Sequence, residues 1–206
     1  MGRNVLYVVA LIGGASFYFN AWFGVAGPWE VAWKGAGVGL LALWATTRAR
    51  SVDGWLIAAA LGLGALGDVL LETHGLTTGA VSFLIGHIVA IFLYLRNRAG
   101  PYWQAVIFAV VVAAISFALP ADRSAAPGIA LYALFLGAMA GAARISRFEN
   151  ATVAFGALLF VVSDLLIFAS LGPMAESPLP ALLIWPTYFA GQALIAWGVV
   201  TALEKR

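Results

Sequence analysis

Apolar runs of about 17 to 21 residues follow one another along the whole chain, joined by very short connections, and this pattern leaves few folds open. They fall at roughly 5–23, 29–47, 54–71, 77–95, 102–119, 128–145, 151–170 and 181–201, bounded mostly by charges, Pro or Gly. A run of about 20 apolar residues is the length of a helix that crosses a bilayer at 1.5 Å per residue. The runs are continuously apolar and do not alternate, which excludes a β-barrel. Composition excludes a soluble domain: 10% of the residues are charged, against about 25% in soluble proteins. The expectation is an all-α polytopic membrane protein, a bundle of about eight transmembrane helices forming a single integral membrane domain over 1–206. With no soluble segment long enough to fold separately, any chemistry belongs within the bundle or at its two rims.

Met-Gly-Arg ahead of the first run resembles the start of a secretory signal, but FYFNAWFG offers no small-x-small cleavage site, so the segment reads as a retained first helix. The absence of cysteine removes disulfides, thiolate catalysis and Cys-ligated metals. Positive charge sets the orientation. Arg3, Arg48, Arg50, Arg96, Arg98, Arg144, Arg147, Lys205 and Arg206 lie at the two termini or after the second, fourth and sixth runs, nine of the eleven Lys and Arg. The opposite side holds Arg123 with Glu30, Glu72, Asp122 and Glu176. By the positive-inside rule both termini are cytoplasmic, in a multi-pass protein of the cell inner membrane. The net charge of +2 reflects this topology, and no nucleic-acid partner is read from it.

Four ionisable groups remain inside the runs: Lys34 in the second, Asp68 in the third, His87 in the fourth and Asp164 in the seventh. Each costs about 2.5 to 3.5 kcal/mol to insert on translocon scales, so such groups usually face one another or a wet cavity. Counted from the non-cytoplasmic ends at 1.5 Å per residue, they lie at depths of about 8, 6, 15 and 12 Å, with Tyr188 and Gln192 of the last run at about 12 and 18 Å. Tyr188 and Gln192 are also spaced i, i+4 on one helix face. All six can line one cavity in the non-cytoplasmic half of the membrane, with Glu72 near its rim. Each has a structural alternative: Lys34 snorkelling outward, Asp68 drawn to water four residues before Glu72, His87 as a packing residue, Tyr188 and Gln192 tying helices together.

ALGDVLL around Asp68 and VVSDLLI around Asp164 echo one another at a separation of four helices, as a four-plus-four duplication would produce. Two carboxylates in a low-dielectric pocket form a recognised acid/base arrangement, one protonated and the other ionised.

The Lys of WEVAWKGAG, the GD of LGALGDVLL, the F-x-x-G-H of SFLIGH, the SD of LLFVVSDLL and the Y-x-x-x-Q of TYFAGQALI, in this order from the second helix to the eighth, resemble the YhhN family. These are bacterial relatives of the transmembrane lysoplasmalogenases. One departure is clear: members often carry a Tyr three residues after the His, and here Ala90 stands there. The resemblance implies hydrolysis of the vinyl ether bond of lysoplasmenyl-choline or -ethanolamine to a fatty aldehyde and a glycerophospho-alcohol, with a lysophospholipid as substrate among membrane lipids and with no cofactor or metal. On that reading Asp68 and Asp164 take the acid and base roles and Lys34 holds a carboxylate ionised or binds phosphate. His87 orients a carboxylate or relays a proton, and Tyr188, Gln192 and Glu72 bind substrate.

Other classes fit less well. A zinc hydrolase normally needs three His or an equivalent set, and the chain has only His74 and His87. A Schiff-base lysine in the second of eight helices does not match a retinal protein. Ser163 has no G-x-S-x-G elbow. A proton-coupled transporter of small molecules or lipids is the non-enzyme alternative, since Asp, Lys and His chains also serve proton relays. The spacings Gly35-x-x-x-Gly39 and Gly137-x-x-x-Gly141 suit packing within the chain or a dimer, and leave the oligomeric state open.

Overall fold

The computed structural model describes residues 4–205, apart from the side chain of Ala21. Arg3 and Arg206, counted above among the cytoplasmic charges, lie outside the described residues. Every expected run is helical: α1 Val5–Ser16, α2 Pro28–Arg48, α3 Val52–His74, α4 Leu76–Arg96, α5 Tyr102–Ala118, α6 Ala126–Arg144, α7 Phe155–Ser170 and α8 Leu179–Glu204. There is no strand among the described residues, only an isolated bridge between Arg98 and Ser146. The first run is the least regular. It passes from α1 through a tighter turn at Phe17–Phe19 into a four-residue helix at Asn20–Phe23 that Gly24 ends in the left-handed region. Among the described residues five helices (α3, α4, α6, α7 with its preceding turn, and α8) are long and apolar enough to cross a membrane; α1 and α5 are shorter apolar helices, and α2 carries Glu30, Lys34 and Arg48.

Local chemistry sets the ends. Pro28 opens α2 at a position where a missing N–H costs nothing, and the Ser51 hydroxyl caps α3 by accepting from the Gly54 N–H at 3.2 Å. Gly75 alone separates α3 from α4, at φ +88°, where a side chain would be strained. A five-residue π-helical turn, Asn150–Ala154, leads into α7.

The chain divides into two compact units, residues 1–93 with 196–206, and residues 94–195. In the first, α2 and α3 approach so closely at Gly35 that a Cβ there would stand 2.8 Å from Val69 Cγ2. A Cβ on Gly67 would stand 2.8 Å from the Phe83 ring, and one on Gly79 2.8 Å from Leu71 Cβ, so α3 and α4 are held together by the same device. The Ser82 hydroxyl adds a hydrogen bond to the Leu63 carbonyl at 2.7 Å. At the other end of this unit Trp44 is buried between Tyr7 and Trp197, with ring centroids 4.7 and 6.0 Å away, and Arg48 pairs with Glu204 at 2.5 Å.

In the second unit Gly137 and Gly141 of α6 lie against the α5 backbone, and Gly156 of α7 lies against Gly191 of α8. The 97–100 and 145–147 loops pair through their backbones, the Ile145 carbonyl accepting from the Ala99 and Gly100 N–H groups at 2.8 Å. Both Gly-x-x-x-Gly spacings of the sequence therefore serve packing inside the chain: Gly35 and Gly39 face Val69 and Ala65, and Gly137 and Gly141 face Ala105, Phe108 and Ala109.

Candidate functional site

Asp68 is 2% exposed and His87 3% exposed, each inside an apolar helix of the first unit. Their motifs interlock: the Gly67 of the GD pair receives the ring of Phe83, the first residue of F-x-x-G-H, and Gly86 before His87 rests on the Ala60 carbonyl and Leu63. The glycines of these motifs thus remove side chains where helices must touch, and the polar residue beside each is carried into the same packed zone. Asp68 is therefore not a rim residue drawn to water. Lys34 is half-buried six residues into α2, and Gly35 beside it sets the approach to α3. Its Nζ donates to Glu72 Oε1 at 2.5 Å. The lysine is thus paired across the α2–α3 contact with the outermost of the carboxylates proposed for the site. Glu30, four residues before it, accepts instead from the Asn20 side chain at 2.8 Å.

Asp164 is 5% exposed, in α7 of the second unit, and the Tyr132 hydroxyl of α6 donates to its Oδ2 at 2.8 Å. The Tyr132 ring meets Phe168 edge-on, with centroids 6.0 Å apart, which fixes the phenol while its hydroxyl holds the carboxylate. Ser163 is 1% exposed, and its hydroxyl has no hydrogen-bond partner in the protein. Tyr188 and Gln192 are buried on α8. Tyr188 packs edge-on against Phe160 of α7 at 5.1 Å, close to the Gly156–Gly191 contact, so the SD and Y-x-x-x-Q motifs belong to one pair of touching helices.

Tyr132 is the residue that sequence reasoning missed. An isolated tyrosine in an apolar run is unremarkable, yet depth would have found it. Tyr132 stands six residues from the Ala126 end of α6 and Asp164 six from the Ser170 end of α7, about 9 Å in each case at 1.5 Å per residue. Among the described residues no three His, Asp or Glu side chains are grouped to hold a metal ion.

Fold and site together define a polytopic helical membrane protein that keeps two carboxylates and a histidine inside apolar helices. A profile of the YhhN family matches residues 29–199, and the chain belongs to that family. No curated protein matches the chain, and no solved structure does.

Proposed function

We propose that this YhhN-family protein is an intramembrane hydrolase that cleaves the vinyl ether bond of lysoplasmalogens, with Asp68 and Asp164 supplying the acid and base. The observation that carries the reading is the burial of both aspartates, 2% and 5% exposed, in helices otherwise made for lipid. Groups so placed cost insertion free energy and mark functional sites, proton-transfer sites among them. In the reaction, one aspartic acid protonates the β carbon of the alkene, and the cation that forms is shared between the adjacent carbon and the ether oxygen. The other carboxylate stabilises that cation and takes a proton from water as its oxygen adds. The resulting hemiacetal collapses to a fatty aldehyde and the glycerol hydroxyl, so that one water is consumed per bond broken. Tyr132 holds the Asp164 carboxylate in place, and the Ser163 hydroxyl is available to a water or to the substrate. His87 relays or orients, while Tyr188 and Gln192 position the substrate. The chain crosses the inner membrane eight times with both termini cytoplasmic, and the reacting groups lie in the non-cytoplasmic half.

The test is aldehyde release from lysoplasmenyl-ethanolamine and -choline by purified protein in detergent, with and without chelator, beside Asp68→Asn and Asp164→Asn. Chelator-resistant release that disappears in both folded variants is expected. A variant that keeps the wild-type rate removes its aspartate from the mechanism, and a folded wild type that releases no aldehyde from either lipid refutes the assignment.

A further inference from the structure

The Lys34–Glu72 pair is not explained by packing. It meets at 2.5 Å, with 16% of the lysine and 33% of the glutamate side chain exposed. Charged groups at this depth cost insertion free energy even when paired, and two apolar side chains would join α2 to α3 at least as well. The ammonium carries three donors, of which Glu72 takes one, and the carboxylate has a second oxygen beyond the one engaged. On α3, Glu72 is four residues from Asp68, one turn nearer the His74 end and about 6 Å along the axis. Residues at that spacing share a helix face. That face therefore runs from an open ion pair to a carboxylate that is 2% exposed. The glycerol unit that separates a lysophospholipid's phosphate from the first bond of its chain spans a comparable distance.

We propose that Lys34 and Glu72 form the headgroup subsite, and that it works by exchange of partners. A zwitterionic phospho-ammonium headgroup enters the pair, its phosphate taking the Lys34 ammonium and its own ammonium taking the Glu72 carboxylate. This rests on the function proposed above, because it takes Asp68 as the reacting end of the same face. The exchange leaves every charge paired. A headgroup that is phosphate alone sets its negative charge beside Glu72 with nothing to neutralise that carboxylate, so Glu72 rejects it as much as Lys34 attracts it. Lys34 is thus a phosphate ligand and Glu72 a selector for ammonium.

The experiment measures binding of lipids that cannot be cleaved, 1-O-alkyl-glycerophosphoethanolamine and 1-O-alkyl-glycerol phosphate, to the full-length protein by native mass spectrometry. Free phosphoethanolamine and inorganic phosphate serve as competitors that separate a lipid headgroup from a soluble anion. The wild type should prefer the phosphoethanolamine lipid by about tenfold or more, the value of one charge-assisted hydrogen bond. Glu72→Gln should erase that preference, and Lys34→Gln should weaken both lipids. The exchange Lys34→Glu with Glu72→Lys should recover any thermal stability lost in the single variants without recovering affinity, whereas a merely structural pair would recover both. Equal binding of the two lipids by the wild type, a preference that survives Glu72→Gln, or affinity restored by the exchange would each overturn the proposal. Competition by inorganic phosphate as strong as by phosphoethanolamine would overturn it as well. Since neither lipid is cleaved, selective binding without aldehyde release would sink the hydrolase reading and leave the subsite standing, and release without selectivity would do the reverse.

Discussion

Gly141→Ala offers a quantitative test of the fold, because one methyl group is added where the helices leave no room for it. An ideal Cβ at Gly141 stands 2.5 Å from Ala105 Cα, 2.9 Å from Phe108 Cβ and 3.0 Å from the Ala105 carbonyl oxygen. Carbon atoms in contact prefer about 3.5 to 4.0 Å, so α6 must back away from α5 by roughly an ångström, and the nearest obstacle is backbone that cannot rotate aside. Overpacking of this kind costs about 1–3 kcal/mol, and about 2–3 kcal/mol where, as here, the obstacle is backbone, while alanine's helix preference over glycine returns about 1 kcal/mol. The net expectation is a loss of about 1–2 kcal/mol. Gly128 lies on the same helix with nothing within 4 Å of its ideal Cβ, so the identical substitution there keeps only the propensity term and should gain up to about 1 kcal/mol. Reversible unfolding of both variants in mixed micelles, followed by far-UV circular dichroism, reads the two signs side by side. A Gly141→Ala protein as stable as the wild type, or two variants that shift in the same direction, would show that the α5–α6 contact is not as close as described.

Two further outcomes are expected. Tyr132→Phe removes the 2.8 Å donor from Asp164 while keeping the ring against Phe168, and should lower kcat for aldehyde release by about tenfold or more with KM unchanged; a fall in affinity with kcat intact would assign Tyr132 to substrate binding instead. Outside the helices, the Ser124 hydroxyl at 2.7 Å and its backbone N–H at 2.9 Å hold the exposed Asp122 carboxyl below its ordinary value, against a smaller opposing effect of desolvation. A depressed folded value means a stabilisation that is present above the unfolded pKa of about 3.9 and fades as pH falls through the lower folded one. Ser124→Ala should therefore move the Asp122 titration upward in carboxyl-carbon NMR, and an unmoved titration would refute the hydrogen-bond account.

The helices were legible because span length and hydropathy are local properties of the chain, and their ends fell near Pro28, Ser51 and Gly75, where the backbone has its own reasons to stop. Partners were not local. Lys34 sits at a depth similar to Asp68 by simple counting, yet it pairs with Glu72, because the close fit of Gly35 on Val69 sets the register of α2 on α3. Tyr132 is not legible for a related reason: a phenol gives no pattern in a single sequence until the helix carrying its acceptor is known. The roles of Gly137 and Gly141 stayed open between dimer and bundle, since small residues at that spacing are the same signal in both. The irregular start was not visible at all, because FYFNAWFG is as apolar as a straight helix would be.

The contact between Gly156 and Gly191 has a consequence for how this chain can change over generations. An ideal Cβ on Gly156 would stand 2.8 Å from the Gly191 carbonyl oxygen, and one on Gly191 2.7 Å from that of Gly156. Elsewhere in a protein, a bulky replacement on one side of an interface can be rescued by trimming the residue opposite. Here the opposite residue is already the smallest there is, so neither position can repair a change at the other. The two sites are locked to glycine together, and a drifting sequence has no second-site route around them short of moving a helix that carries Asp164, Tyr188 or Gln192.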